Sequence, residues 1–296
     1  MLAEMARSPI TVETAAANRQ HYEVPAAFFA CMLGPHLKYS SCLWPEGTTT
    51  LEDAERAMLG LTAERADLHD GQRILELGCG WGSLTLWMAE RFPGSDIVAV
   101  SNSTSQRAWI MARAAERDLG NVRVVTADVA AFKPDDRFDR IVSVEMMEHT
   151  RNWHALLDRV SGWLRPEGRM FVHVFCHRTS PYMFRDSGPA SWMARNFFTG
   201  GMMPSFDLIE RVDSPLVVED RWRVGGEHYA ATAHAWLENL DRHHDRAIAA
   251  LTQVAGRDAR RAVRRWRQFL MACEELFAAD GGREWHVGHY RLKRRA

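Results

Sequence analysis

The chain has 296 residues, 46% hydrophobic and 25% charged, with a net charge of −1, which is enough apolar material for one large α/β domain with a lid or for two small domains. A near-neutral chain has no global field that would favour nucleic acid, and no run approaches the roughly 18 apolar residues that a spanning helix needs. The five cysteines (Cys31, Cys42, Cys79, Cys176 and Cys273) have neither disulfide nor metal-ligand spacing and the N-terminus does not read as a signal peptide, so the expectation is a metal-free protein of a reducing, cytoplasmic compartment.

Residues 1–20 are polar, and residues 21–50 are rich in aromatic and turn residues. Thr49 with Glu52 reads as a capping box that opens a helix running to about Ala66. Short apolar runs follow at Arg73–Leu77, Asp96–Val100, Val122–Thr126, Asp139–Val144 and Met170–Phe175. Between them lie helix-like stretches near Ser83–Arg91, Ser105–Asp118 and Trp153–Leu164. Alternation of β-branched runs with amphipathic segments predicts a doubly wound, mostly parallel sheet. After Phe175 the rhythm breaks: 178–210 is irregular and aromatic. A strand at Leu216–Val224, helices at about 230–254 and 258–278 and a final strand at Trp285–Leu292 complete the prediction. The division expected is an N-terminal cap (1–70), a nucleotide-type core (71–177), a lid (178–283) and a returning strand (284–296).

The sharpest motif is ILELGCGWGSLTLWMAE. A β run ends at Glu76, glycines stand at Gly78, Gly80 and Gly82, and a helix begins. Ligands of open α/β sheets bind beyond the carboxyl ends of the strands, at such a turn. The spacing is G-x-G-x-G rather than the dinucleotide G-x-G-x-x-G. With an acidic residue two before the first glycine, it is the spelling used for S-adenosylmethionine, which has no pyrophosphate to cradle but brings an ammonium for Glu76. Asp128 ends the third run, where a carboxylate can accept from the adenine amino group, or else cap a helix. The second run ends in SNSTSQ without the usual acid, so Ser101, Asn102 and Gln106 would have to meet the ribose.

Several further stretches together resemble the cyclopropane-fatty-acid synthase family, in the wide sense that includes plant coclaurine-type N-methyltransferases. They are HYEVPAAFF (21–29), LKYSSC (37–42), LELGCGWGSL (75–84), SNSTSQ (101–106), DRIVSVEMMEH (139–149), FVHVFCHRT (171–179) and FTGGMMPS (198–205). The resemblance implies a class I methyltransferase fold: a Rossmann-like seven-stranded sheet with its last strand antiparallel and a helical lid after strand five. It implies S-adenosylmethionine as cofactor and S-adenosylhomocysteine as product, with Tyr22, Tyr39 and Ser40 closing over the site and Val129 and Glu145 completing the contacts. In cyclopropane synthases a bicarbonate held by a cysteine, a glutamate, a histidine and a tyrosine acts as base. Carried over, these fall on Ser41, Glu148, His173 and, for the tyrosine, Phe269. The coclaurine-type branch carries YSSC and C-H-K/R-T, matched here by Tyr39–Cys42 and Cys176–Thr179, which places its catalytic histidine on His177.

Methyl transfer from a sulfonium is an in-line displacement, in which a protein mainly positions the nucleophile and excludes water. An amine must be neutral to attack, so a base near neutrality helps. The candidates from this reading are Glu148, His173 and His177, with Ser41 beside them, whereas His149 reads as a structural partner. Trp192, Phe197, Phe198, Met202, Met203 and Phe206 are the candidate acceptor pocket. Arginines 257, 260, 261, 264, 265 and 267 crowd one helix as a solvated face or a site of peripheral membrane contact. The expected function is N-methylation of a small aromatic or alkaloid-like amine. The alternatives are methylene addition to a lipid alkene with bicarbonate as base, and non-catalytic cofactor binding. The partners expected are a small amine or a lipid, and not nucleic acid; a homodimer stays open.

Overall fold

The apolar runs assemble into one sheet. In a computed structural model, which describes residues 1–12, 24–186, 188 and 191–295, the strands are β1 (Arg73–Leu77), β2 (Asp96–Ser101), β3 (Val122–Thr126), β4 (Phe138–Val144), β5 (Leu164–His177), β6 (Tyr182–Met183), β7 (Met202–Met203), β8 (Leu216–Val224) and β9 (Trp285–Arg294). Seven of them form a sheet in the order β3-β2-β1-β4-β5-β9-β8. Strands β1 to β5 pair in parallel. β9 runs antiparallel to both β5 and β8. β1 and β2 are buried almost end to end, as strands covered on both faces must be.

The helices are α1 (Leu2–Arg7), α2 (Ala26–Met32), α3 (Leu51–Arg65), α4 (Ser83–Arg91), α5 (Thr104–Glu116), α6 (Trp153–Trp163), α7 (Trp192–Asn196), α8 (Leu208–Arg211), α9 (Gly226–Arg242), α10 (His244–Ala255) and α11 (Ala259–Ala278). Three expectations shift. The cap of α3 is Thr50, whose hydroxyl accepts from Asp53 N–H at 3.1 Å, one residue beyond the pairing expected. The helix expected over 230–254 is two helices, broken at His243. The irregular segment 178–210 contains a small β6–β7 hairpin and two short helices.

Helices α2, α9, α10 and α11 form a separate aromatic core with Phe28, Phe29, Trp236, Trp266 and Phe277 among its buried members. Helix α11 buries Val263, Trp266, Phe269, Leu270, Cys273 and Phe277 at three- and four-residue spacing, while Arg260, Arg261 and Arg264 on its other face are exposed. Each large apolar side chain removed from water contributes about 1.5–3 kcal/mol, so this face is what fixes α11 over the sheet. No helix among the described residues is long and apolar enough to cross a membrane.

The bend between β1 and α4 depends on Gly82, which holds φ +83° at the helix start. A Cβ there would lie 2.6 Å from Ile110 Cγ1 of α5. The glycine therefore allows both the left-handed turn and the close approach of α4 to α5. Gly82→Ala is expected to cost about 2–4 kcal/mol, from left-handed strain and overpacking together. Gly47→Ala shares the positive φ, +84°, but meets nothing within 4 Å, and is expected to cost only about 1 kcal/mol. Thermal denaturation of the two variants measures the difference; equal losses would contradict the packing role given to Gly82.

Candidate functional site

A cavity opens beyond the carboxyl ends of β1, β2 and β4, roofed by α9 and α11. One end is built by the glycine bend. Gly78 and Cys79 donate their N–H groups to Val100 O at 2.9 and 3.1 Å, which locks the bend onto β2. Gly78 has φ +79°, and a Cβ on it would strike Met146 Cγ at 2.5 Å, while Gly80 borders the cavity with nothing within 4 Å of its would-be Cβ. The buried carboxyl of Glu76 accepts the Thr85 hydroxyl, and burial pushes its pKa up to about 7.

At the end of β2, the Ser101 hydroxyl donates to Gln106 Oε1 at 2.6 Å and accepts Ser103 N–H at 3.0 Å. Asn102 stands beside them on the cavity wall. Asp128 follows β3, accepting Ala130 N–H at 2.8 Å and the Thr11 hydroxyl at 3.1–3.2 Å. It therefore turns its own loop and also fastens the N-terminal segment, whose Thr11 and Val12 border the cavity together with Val129. Tyr39 and Ser40 line the same space. Tyr22 lies outside the described residues.

The other end centres on Glu145, which follows β4 in the left-handed region, φ +45°. A non-glycine residue held there costs about 1–2 kcal/mol, so surrounding contacts must hold it. Its carboxylate receives Ser41 N–H at 2.9 Å and His173 Nε2 at 3.1 Å on Oε1, and the Tyr229 hydroxyl at 2.6 Å on Oε2. Lys38, fully buried, donates to Ser40 Oγ and to Ser41 O. Its positive charge opposes that of Glu145, while burial pulls the pKa of the ammonium down. Burial pushes the pKa of Glu145 up against these donors. Glu148, three residues on, accepts Phe175 N–H at 2.8 Å and leaves Oε2 buried without a partner among the described residues. Burial and the neighbouring Glu145 push its pKa well up. Tyr39, Phe175, Phe198, Tyr229, Trp236 and Phe269 give this end an aromatic lining, and His149 faces the cavity with its ring stacked at 14° on Phe198.

Of the residues singled out in the sequence, Tyr39, Ser40, Glu76, Gly78, Gly80, Ser101, Asn102, Gln106, Asp128, Val129, Glu145 and Phe198 border the cavity, and Gly82 does not. His173 corrects expectation: its ring is fully buried behind Glu145, with Nε2 on Glu145 and Nδ1 on His289, and does not line the cavity. His177 lies four residues, about 13 Å, farther along the strand direction. Its Nδ1 accepts Thr179 and Ser180 N–H, and its Nε2 meets Glu284 at 2.8 Å. Ser41 and Glu148 are buried behind the wall. Phe269 does not stand at the carboxylate cluster as the tyrosine equivalent; Tyr229 does, and Phe269 stacks on Phe197 at 4.1 Å.

The acceptor set also needs correction. Trp192, Phe197, Met202, Met203 and Phe206 do not border the cavity. Phe197 supports the wall from behind through Phe269. Met202 and Phe206 belong to a different core, with Phe206 packed on Tyr290 and His286. His149, expected as a structural partner, faces the cavity; the residues that sequence reasoning passed over are Lys38, Tyr229 and Trp236. The last two are seven apart on α9, a helical stripe that could have been found. Lys38 is one of only three lysines in the chain.

Residues 11–285 match the family model described as mycolic acid cyclopropane synthetase. The (S)-coclaurine N-methyltransferase of Thalictrum flavum subsp. glaucum is 34% identical over 291 residues, covering 97% of this chain and 81% of that protein. The cyclopropane-fatty-acyl-phospholipid synthase of Escherichia coli K12 is 31% identical over 272 residues, 91% of this chain and 66% of that one. The crystal structure of a coclaurine N-methyltransferase bound to N-methylheliamine and SAH superposes with a TM-score of 0.95 at 32% identity, covering 99% of this chain and 86% of that one. With the glycine bend and the strand-end cavity already in place, these likenesses settle the chain's kinship: it belongs to the mycolic acid cyclopropane synthetase family and is an S-adenosylmethionine-dependent methyltransferase.

Proposed function

We propose that the enzyme N-methylates a small aromatic amine, held as its ammonium by Glu145 and deprotonated by His149. The observation that carries this reading is the carboxylate of Glu145 at the aromatic end of the cavity. A carboxylate has about four acceptor positions, and three are filled by Ser41, His173 and Tyr229. Among the described residues Oε2 has only the Tyr229 hydroxyl, and the remaining position is there. An ammonium is the ligand such a site favours, because it brings both a donor and a compensating charge. The surrounding Trp236, Tyr39, Phe198 and Phe269 faces add attraction for a cation.

The cofactor residues follow from the other end of the cavity. Glu76 and the Gly78–Gly80 backbone would hold the amino-acid portion, Ser101, Asn102 and Gln106 the ribose, and Asp128 with Val129 the adenine. When bound, S-adenosylmethionine supplies an electrophilic methyl group on a sulfonium. This chain's contribution is to orient the amine, exclude water with the aromatic wall and take one proton from nitrogen. His149 suits the last step because it faces the same space and lies four residues from Glu145.

The relatives support the amine over the alkene. The Thalictrum relative is named for N-methylation, and the matching crystal structure holds N-methylheliamine. The carboxylate cluster points the same way. Ser41 and His173, the positions that resemblance gives to bicarbonate ligands, converge with Tyr229 on a side-chain carboxylate. The Ser41 N–H, His173 and Tyr229 are thereby engaged by a fixed anion of the protein, which favours a cationic acceptor over a second, mobile anion in the same place.

Glu145→Gln is expected to lower kcat/KM for the best amine of a panel at least 100-fold, because Gln loses the charge and turns one of the two acceptor oxygens into a donor. S-adenosylhomocysteine affinity, measured by calorimetry, should change less than threefold; full amine turnover in this variant would overturn the anchoring role. His149→Ala is expected to lower kcat about 10²–10⁴-fold. The residual rate should climb as pH rises toward the amine's own pKa, since solution then supplies the neutral nucleophile. A residual rate flat in pH would contradict the assignment of the base.

A further inference from the structure

Behind Glu145 runs a chain of hydrogen bonds that methyl transfer does not itself require. Arg65 Nη1, at the end of α3, lies 2.9 Å from His289 Nδ1 on β9. His289 Nε2 lies 3.0 Å from His173 Nδ1 on β5. His173 Nε2 lies 3.1 Å from Glu145 Oε1. Both histidines are completely buried. The two imidazoles are register partners across the β5–β9 pair, so the sheet itself sets their spacing.

The direction of this chain is fixed at one end. A guanidinium has donors and no acceptor. His289 must therefore accept at Nδ1, which puts its single proton on Nε2. That proton can only be given to His173 Nδ1, and so the proton of His173 sits on Nε2, facing Glu145. We propose that Arg65 and His289 are positioning residues that lock the tautomer of His173, so that every hydrogen bond in the relay points toward Glu145 and keeps it an acceptor. This rests on the reading of Glu145 as the amine anchor.

Both imidazoles must be neutral for the lock to operate. Burial drives the pKa of each well below the ordinary histidine range, and the positive charges of Arg65 and Lys38 act in the same sense. No proton need travel along the relay. What it transmits is the identity of the nitrogen that carries one. With the opposite tautomer, His173 would present a bare Nε2 lone pair to the Glu145 carboxylate at 3.1 Å, and the carboxylate would be held as an acceptor only by Ser41 and Tyr229. Arg65 itself is anchored, with its guanidinium 5.1 Å from the centre of the Trp222 ring, so its donor does not wander.

The test uses the full-length protein with 15N-labelled histidine, without amine, and reads the tautomers from ring 15N shifts assigned with His173→Gln and His289→Gln. In the native protein both rings should be neutral with the proton on Nε2. In Arg65→Met, which keeps the stem but removes the donor, His289 should populate the Nδ1–H form. kcat for the best amine should then fall about tenfold with S-adenosylmethionine KM unchanged, and Arg65→Lys, also donor-only, should restore kcat to within about threefold. A native His289 protonated on Nδ1, or unchanged tautomers and kcat in Arg65→Met, overturns the proposal. If no amine is turned over while the tautomers behave as stated, the acceptor reading fails and the relay stands.

Discussion

A carboxylate buried in a protein interior costs several kcal/mol unless donors and countercharge meet it, and Glu145 satisfies that condition by recruiting four regions of the chain. It follows β4, takes Ser41 N–H from the segment leading to α3, His173 from β5 and Tyr229 from α9. Lys38 supplies the countercharge from the same segment as Ser41. The N-terminal cap, the sheet and the helical roof are thus tied at one point. Glu145 holds a left-handed backbone at this point, φ +45°, a conformation that persists where surrounding contacts over-determine it.

The same cluster separates two chemistries that share a fold. Both kinds of relative, the N-methyltransferase and the cyclopropane synthase, match at similar identity, 34% and 31%. Identity over the chain separates the two kinds of relative little, so the local chemistry of the cluster bears on the acceptor alongside the matching crystal structure. A fixed side-chain anion suits an acceptor that brings a cation, and an alkene brings none. The neighbouring acid sharpens this contrast. Burial and Glu145 itself push the pKa of Glu148 upward, which disfavours a second buried carboxylate beside the first.

Much of this was legible in the sequence because it is local. The β-branched runs, the G-x-G-x-G bend and the polar end of β2 each lie within a dozen residues and carry their own physical reason. The carboxylate cluster is not local. Tyr229 reaches Glu145 across 84 residues of chain, and nothing in the spelling of α9 says which of its faces meets β4. His173 enters the sequence reading through the resemblance, as a bicarbonate ligand and candidate base, and nothing in the spelling of β5 reveals that Glu145 stands between its ring and the cavity. His177, placed by the same resemblance, lies four residues farther along the strand and away from the cavity. The aromatic stretch around Trp192 to Phe206 has no period, so its split between wall, support and a separate core could not be ordered from sequence.

The most direct test of the central claim follows the fate of the methyl hydrogens. S-adenosylmethionine with a fully deuterated methyl group is supplied to the purified enzyme with a panel of aromatic amines and, in parallel, with vesicles of unsaturated phospholipid. Mass spectrometry should find an N-methylated amine that retains all three deuteriums and no mass gain in the lipid. A lipid product that retains two deuteriums, formed while every amine stays unmodified, would contradict the account.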